Sequence, residues 1–147
     1  MYMVRMVYVS TPVEEVDSDV LESILGTAQI NNTENDLSGM LVFDEQHYLQ
    51  VIEGSRMKVS QLLGNLYKDP RHKDLVVLGF ECISQRQFPD WSMQFMPVAD
   101  VTRDVLLRHG VSSKFEPYNF SKDSALAFMV ELLARQQLLA RQQVRAA

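Results

Sequence analysis

The stretch HYLQVIEG, residues 47–54, decides the fold of this chain. It predicts a β-strand that ends at a glycine and leads directly into a helix. Because side chains alternate across a strand, Tyr48 and Ile52 lie on one face, and Leu49 and Val51 lie on the other. Both faces are mainly apolar, which is typical of a central strand that is covered on two sides.

Gln50 is the polar exception within this strand. A buried carboxamide among apolar neighbours costs about 1–3 kcal/mol unless hydrogen-bond partners satisfy it. Either the fold or a bound ligand must supply those partners. The surroundings of Gln50 therefore bear directly on function.

Hydrophobic periodicity and turn residues predict the other elements of the first two thirds of the chain. Asn31 and Asn32 are expected to close the first helix, because asparagine tolerates turn geometry. Asp69 ends the second helix, since the proline after it disfavours helical geometry. The predicted strands are about 4–9, 38–43, 75–84 and 91–95, and the predicted helices are about 18–30 and 55–69.

This order of elements indicates an α+β fold. The first six make a ferredoxin-like β-α-β-β-α-β sheet with both helices on one face, and the last strand is an added fifth. Beyond Pro97 the pattern is helical only, over about 100–109 and 122–144. We therefore expect residues 1–97 to form one domain and residues 98–147 a helical extension. Its apolar residues would lie on the open face of the sheet or in a subunit interface.

Composition and charge narrow the classes of function. The net charge of −5 argues against binding to a nucleic-acid backbone. No apolar run approaches the roughly 20 residues of a membrane span, and no signal peptide is evident. The single cysteine, Cys82, suits a reducing cytoplasm. The histidines His47, His72 and His109 lack the spacing of metal ligands, so no metal site is predicted.

Polar and aromatic side chains from three strands are candidates for a binding site. If their faces coincide, Tyr8, Gln50, Trp91 and Met93 bring a phenol, a carboxamide, an indole and a thioether to one side of the sheet. The pair 31–32 lies at the end of the helix that would cross this side. The set contains no nucleophile–base pair and no glycine-rich phosphate loop, so it suits holding a planar heterocycle better than hydrolysis. The alternative is that these residues simply form core.

Five segments together resemble one known family. They are VYVS at 7–10, the asparagine pair at 31–32, LQVIEG at 49–54, DPRH at 69–72 and FPDWSM at 88–93. In order and spacing over about residues 3–97 they are similar to the BLUF family, the sensors of blue light using FAD. The predicted fold, including the fifth strand, agrees with that family. So does a short helical cap without an enzymatic output domain.

The resemblance implies that FAD lies on the sheet between the two helices. It implies that Tyr8 donates an electron and then a proton to the excited flavin, and that its hydroxyl bonds Gln50. The Gln50 amide would then change rotamer or tautomer, and Trp91 and Met93 would pass the signal on. The other residues that the resemblance assigns to the cofactor are Ile24, Asn31, Asn32, Arg71 and His72.

The resulting hypothesis is a cytoplasmic, non-enzymatic photoreceptor that acts on a downstream signalling protein or within a homo-oligomer. One alternative is a small flavin-dependent oxidoreductase on the same fold. An acylphosphatase is opposed by the acidic stretch 13–15 after the first strand, where a phosphate-binding arginine would be needed. An RNA-binding sheet is opposed by the charge and by the missing aromatic strand. An oligomerisation module without ligand is the remaining alternative.

Overall fold

The computed structural model describes residues 2–15, 17–89 and 93–146, with all their side chains except those of Ser18, Leu25 and Ala146. The elements follow one another in the predicted order. They are β1 (Met3–Pro12), α1 (Ser18–Glu34), β2 (Ser38–Phe43), β3 (Tyr48–Ser55), α2 (Arg56–Lys68), β4 (His72–Ile83), β5 (Gln94–Pro97), α3 (Arg103–His109) and α4 (Lys122–Ala146). Two short 3-10 helices, Val98–Asp100 and Pro117–Asn119, flank α3.

The five strands form one sheet in the order β4-β1-β3-β2-β5. The first four pair antiparallel, with β3 between β1 and β2 as predicted for the central strand. Strand β5 pairs parallel to β2 and extends the sheet at that edge. This topology confirms the ferredoxin-like sheet with an added fifth strand.

Both faces of the sheet are buried over β1, β2 and β3. Helices α1 and α2 cover one face, where Met6, Tyr8 and Ile52 belong to one apolar cluster. Helices α3 and α4 cover the other face, where Val7 and Val51 belong to a second cluster. Of the two positions that the sequence left open for the C-terminal helices, the structure therefore shows the open face of the sheet.

Several predicted boundaries were wrong. Strand β1 continues to Pro12 rather than ending near position 9, and β4 begins at His72 rather than near position 75. Both strands are longer because Thr11 and Pro12 pair with Lys73 and His72.

Helix α1 does not close at Asn31 and Asn32 but continues to Glu34. The reason is a cap one turn later: the backbone N–H and Nδ2 of Asn35 both donate to the Asn31 carbonyl, at 3.1 and 2.7 Å. Asp36, with a φ of 55°, then makes the turn into β2.

Two further wrong boundaries lie near β5. That strand begins at Gln94, and positions 91–92 of the predicted strand lie outside the described residues. Helix α3 begins at Arg103 rather than near position 100, because the 3-10 turn Val98–Asp100 and Thr102 come first.

Candidate functional site

A cavity of about 220 Å³ lies between α1, α2 and the sheet. Helix α1 lines it with Ile24, Thr27, Ala28, Asn31 and Asn32. The strands line it with Tyr8, Leu41, Tyr48, Gln50, Ile52 and Phe95. Helix α2 and the chain after it line it with Leu62, Asn65, Leu66, Asp69, Arg71 and His72. The walls therefore combine aliphatic and aromatic surface with carboxamides, two phenols and one guanidinium.

Tyr8 and Gln50 face each other in the wall of this cavity. They are direct partners in the β1–β3 register, so their side chains are neighbours on one face. The Tyr8 hydroxyl donates to Gln50 Oε1. Gln50 Nε2 donates to the Met93 sulfur at 3.2 Å. A thioether is a weak acceptor, so the carboxamide is held strongly at its oxygen end and weakly at its nitrogen end.

The Tyr8 hydroxyl is held in its protonated form. Burial raises the pKa of Tyr8 well above its ordinary value, and nearby Tyr48 and Asp69 raise that pKa further. The phenol is therefore a neutral hydrogen-bond donor throughout the physiological pH range. Burial also raises the pKa of Tyr48, which lines the same cavity.

An ion pair borders the cavity where α2 leads into β4. Arg71 Nε donates to Asp69 Oδ1 at 3.0 Å, and Arg71 Nη2 donates to Asp69 Oδ2 at 2.7 Å. The hydrogen bond from Arg71 lowers the pKa of Asp69. The Arg71 side chain is 55% exposed, so it stands at the rim. His72 Nε2 lies 2.7 Å from the Leu66 carbonyl, which can only accept, so this nitrogen carries a hydrogen.

The structure brings the predicted cofactor residues to one place. All seven line the cavity: Tyr8, Ile24, Asn31, Asn32, Gln50, Arg71 and His72. Met93 is not among the lining residues but is buried and in contact with Gln50. Trp91 lies outside the described residues.

Sequence reasoning missed several lining residues. Tyr48 shares the strand face of Gln50, so the alternation that placed Gln50 already contained the signal. Asp69 had been assigned only to a helix end, although its neighbour Arg71 was a candidate. Thr27 lies one helical turn after Ile24, and Asn65 lies one turn after Leu62. Residues at this spacing share a helix face, so the sequence did indicate that they could line the same cavity.

The described parts of the chain lack both a metal cluster and a membrane-spanning helix. The described ranges contain no group of three or more His, Cys, Asp or Glu side chains arranged to hold a metal ion. No helix within them combines the length and apolar character that crossing a membrane requires.

Comparison with known proteins identifies the family. The sequence model of the family BLUF, "Sensors of blue-light using FAD", matches residues 3–94. The chain belongs to the BLUF family. The match includes Tyr8, Gln50 and Met93 and all the described strands up to the first residue of β5.

Individual relatives match this chain over a length similar to that of the family model, 88 to 100 residues. Photoactivated adenylate cyclase subunit beta of Euglena gracilis is 31% identical over 100 residues, which are 67% of this chain and 12% of the cyclase. The blue light- and temperature-regulated antirepressor BluF of Escherichia coli (strain K12) is 27% identical over 88 residues, which are 60% of this chain and 22% of the antirepressor. This chain thus matches only a minor part of either relative.

A solved BLUF structure extends the likeness beyond the first 94 residues. The structure described as BlsA in its photo-activated state is 28% identical, with a TM-score of 0.78. The alignment covers 89% of this chain and 94% of that chain. The shared architecture therefore includes a substantial part of the C-terminal helical segment.

Proposed function

We propose that the protein is a blue-light receptor that binds FAD in the cavity between α1 and α2. The observation that carries this proposal is the setting of Gln50. Its buried carboxamide lies in the cavity wall between a phenol donor, Tyr8, and a weak acceptor, Met93. Membership of the BLUF family supports a flavin as the ligand, and the family description supports FAD.

The residues present suit a planar heterocycle with polar edges. Asn31 and Asn32 offer carboxamides for the ring's heteroatoms, and Ile24 offers aliphatic surface for its face. Arg71 and His72 would hold the pyrimidine side. Pockets for drug-sized ligands occupy about 300–1,000 Å³. The cavity of about 220 Å³ is smaller than this range. It would therefore hold the ring system only, and the rest of the dinucleotide would extend beyond it.

Bound FAD would supply absorption of blue light and, once excited, an acceptor for one electron and one proton. Tyr8 is the donor in this proposal, because its buried phenol keeps its proton until an electron has left. Loss of the hydroxyl hydrogen removes the bond to Gln50 Oε1. The carboxamide is then free to change rotamer or tautomer without a net change of charge. Return of the electron and the proton restores the phenol while Gln50 keeps its new arrangement, and relaxation of the carboxamide in darkness would then restore the original hydrogen bonds.

Rearrangement of Gln50 would be transmitted through Met93 and Trp91. Reorienting the carboxamide changes its contact with the Met93 sulfur, and Met93 directly precedes β5. Strand β5 continues through a 3-10 turn into α3. We therefore propose that residues 1–97 are the photosensory domain and that residues 98–147 are a helical cap that relays the change.

The output would be a changed contact with a signalling protein or with a second copy of the chain, in the cytoplasm and without catalysis by these residues. The E. coli relative is called an antirepressor and the Euglena relative a cyclase, so related segments accompany different outputs. Because the chain matches 22% and 12% of those proteins, their own activities are not assigned to it.

The test is the visible absorption spectrum of the purified protein after incubation with FAD, before and just after blue illumination. The proposal predicts a flavin spectrum that moves to longer wavelength and returns in darkness. Bleaching of the flavin band instead would indicate ordinary reduction and favour an oxidoreductase. Failure to retain FAD would contradict the proposed cofactor site.

A further inference from the structure

Glu53 is a buried carboxylate that the proposed photochemistry does not use. It follows Gln50 by three positions on β3, so its side chain lies on the opposite face of the sheet. Its side chain is 0% exposed. Carboxylates are almost never fully buried unless they are paired. The donors that surround Glu53 must therefore explain its position.

Donors approach both oxygens of Glu53. Oε2 accepts from Arg5 Nε at 2.9 Å and lies 2.8 Å from Arg5 Nη2. Oε1 accepts from the backbone N–H of Phe88 at 2.6 Å, and the backbone N–H of Gln87 is shared between both oxygens, at 3.0 Å from each. The carboxylate thus connects β1, through Arg5, to the chain that follows β4. We call residues 84–89 of that chain the anchor segment.

A second set of hydrogen bonds, made by Arg86, holds the anchor segment beside the start of β2. Arg86 Nη1 donates to Ser38 Oγ at 2.7 Å, and Arg86 Nη2 donates to the Asp36 carbonyl at 2.6 Å. Between them, Glu53 and Arg86 fix three consecutive residues of the segment. The segment is therefore held by side chains of β3 and β2 and by a backbone carbonyl of the turn before β2.

The anchor segment lies close in sequence to the residue that contacts Gln50. Phe88 is buried in the cluster beneath α3 and α4, whereas Met93 is buried in the cluster of the Gln50 face. Five residues of chain span at most about 18 Å. The bonds that fix Phe88 therefore limit the positions that the Met93 sulfur can occupy.

We propose that Glu53 is a positioning residue for the rearrangement of Gln50; this inference rests on the proposed function. By holding the amides of Gln87 and Phe88, its carboxylate sets the place of the thioether beside Gln50 Nε2. A carboxylate is required because it accepts at both oxygens. A carboxamide at this position would turn an N–H₂ group toward either Arg5 or the Phe88 amide, and that donor would lose its acceptor.

The test compares Glu53→Gln with Glu81→Gln in the full chain loaded with FAD. Glu81 is a matched control, because its Oε1 also accepts from Arg5, at 3.3 Å, but within the described residues it makes no hydrogen bond or ion pair to the anchor segment. Two quantities are measured. One is the rate at which the absorption returns in darkness after a blue flash. The other is the ¹³C-methyl NMR signal of Met93 in the dark, assigned by its loss in Met93→Leu.

Glu53→Gln should accelerate the dark return about tenfold, the effect of losing one charge-assisted hydrogen bond that resists movement of Met93. It should also shift and broaden the Met93 signal. Glu81→Gln should leave both quantities as in the wild type. Equal behaviour of the two variants, or an unchanged Met93 signal in Glu53→Gln, would overturn the inference.

Misfolding of Glu53→Gln and failure of the proposed function can each be distinguished from failure of this inference. If circular dichroism shows that Glu53→Gln does not fold, Arg86→Gln replaces it. That variant loses the hydrogen bonds from Arg86 to Ser38 and Asp36 and keeps Glu53. It should change both quantities in the same direction by a smaller factor, and wild-type values would overturn the inference. A wild-type protein without any light-induced shift would defeat the proposed function, while the dark Met93 signal would still decide the role of Glu53.

Discussion

At the residue scale, Gln50 has an unequal pair of partners. The Tyr8 hydroxyl satisfies its oxygen, and a sulfur atom 3.2 Å away is the acceptor for its nitrogen. Because the sulfur is a weak acceptor, the carboxamide loses little hydrogen-bond energy at its nitrogen end when it reorients. The same arrangement keeps Gln50 buried in the dark without the full cost of an unsatisfied polar group.

The raised pKa of Tyr8 predicts a pH dependence of stability. Above about pH 10, the ordinary value for tyrosine, the unfolded chain releases this proton while the folded chain keeps it. The free energy of unfolding should therefore fall as the pH rises through that region. In Tyr8→Phe the fall should be shallower by up to about 1.4 kcal/mol per pH unit.

Urea unfolding of both proteins between pH 7 and 11 measures this slope. At pH 7 the phenol is protonated in both states, so the difference between wild type and variant there gives the pH-independent effect of the lost hydroxyl. Tyr48 keeps part of the alkaline slope in the variant, because burial also raises its pKa. Parallel curves for the two proteins would contradict the assigned burial of the Tyr8 phenol.

Sequence reasoning predicted the faces of these residues and not all of their contacts. Period-two alternation places Tyr8 and Gln50 on definite faces, and one register then makes them partners. The bond between Gln50 and Met93 depends on how the chain passes from β4 to β5, which no local pattern encodes. The pairing of Glu53 with Arg5 and two backbone amides likewise requires the register and the loop together.

At the element scale, Gly39 is the glycine that leaves the least room for a side chain. A Cβ atom added there would lie 1.9 Å from the Val51 carbonyl oxygen, in the backbone of the neighbouring strand. Gly39→Ala should therefore lower the free energy of unfolding by about 3 kcal/mol, the upper end of the usual cost of overpacking. The variant should be measured by urea unfolding.

Gly64 provides the control for that substitution. It lies within α2, and an added Cβ would meet nothing within 4 Å. Gly64→Ala should raise the free energy of unfolding by about 0.5–1 kcal/mol, because alanine favours a helix over glycine. Equal effects of the two substitutions would mean that β2 and β3 do not approach each other as described.

Element types were easier to predict than element ends. The apolar stripes and turns predicted the order of strands and helices, because burial on one face demands a period. The end of α1 was misplaced because Asn31 and Asn32 resemble a helix terminus. Asn35 and Asp36 supply the actual cap and turn, and two adjacent candidate stops cannot be ranked without the hydrogen bonds that each makes.

At the scale of the whole molecule, the sheet separates two cores. Phe128 of α4 is 0% exposed and packs with Phe120 at a ring distance of 5.4 Å on the face opposite to Gln50. Phe128→Ala should lower the free energy of unfolding by about 3–5 kcal/mol. Because the sheet lies between them, the light-induced shift of the folded variant should keep its wild-type size.

Urea unfolding and light-minus-dark spectra of the same Phe128→Ala sample measure both effects. A variant that loses stability and keeps the shift agrees with a cap that supports the sheet without forming the chromophore site. Loss of the shift in protein that is still folded and loaded with FAD would place α4 within that site, contrary to the described geometry.

The light-minus-dark absorption spectra of Gln50→Leu and Gln94→Leu test directly whether rearrangement of Gln50 produces the light response. Both variants replace a buried glutamine of the sheet by leucine, but Gln94 does not line the cavity. Both variants should bind FAD, and only Gln50→Leu should lose the reversible shift to longer wavelength. A normal shift in Gln50→Leu would show that the light response does not depend on the Gln50 carboxamide.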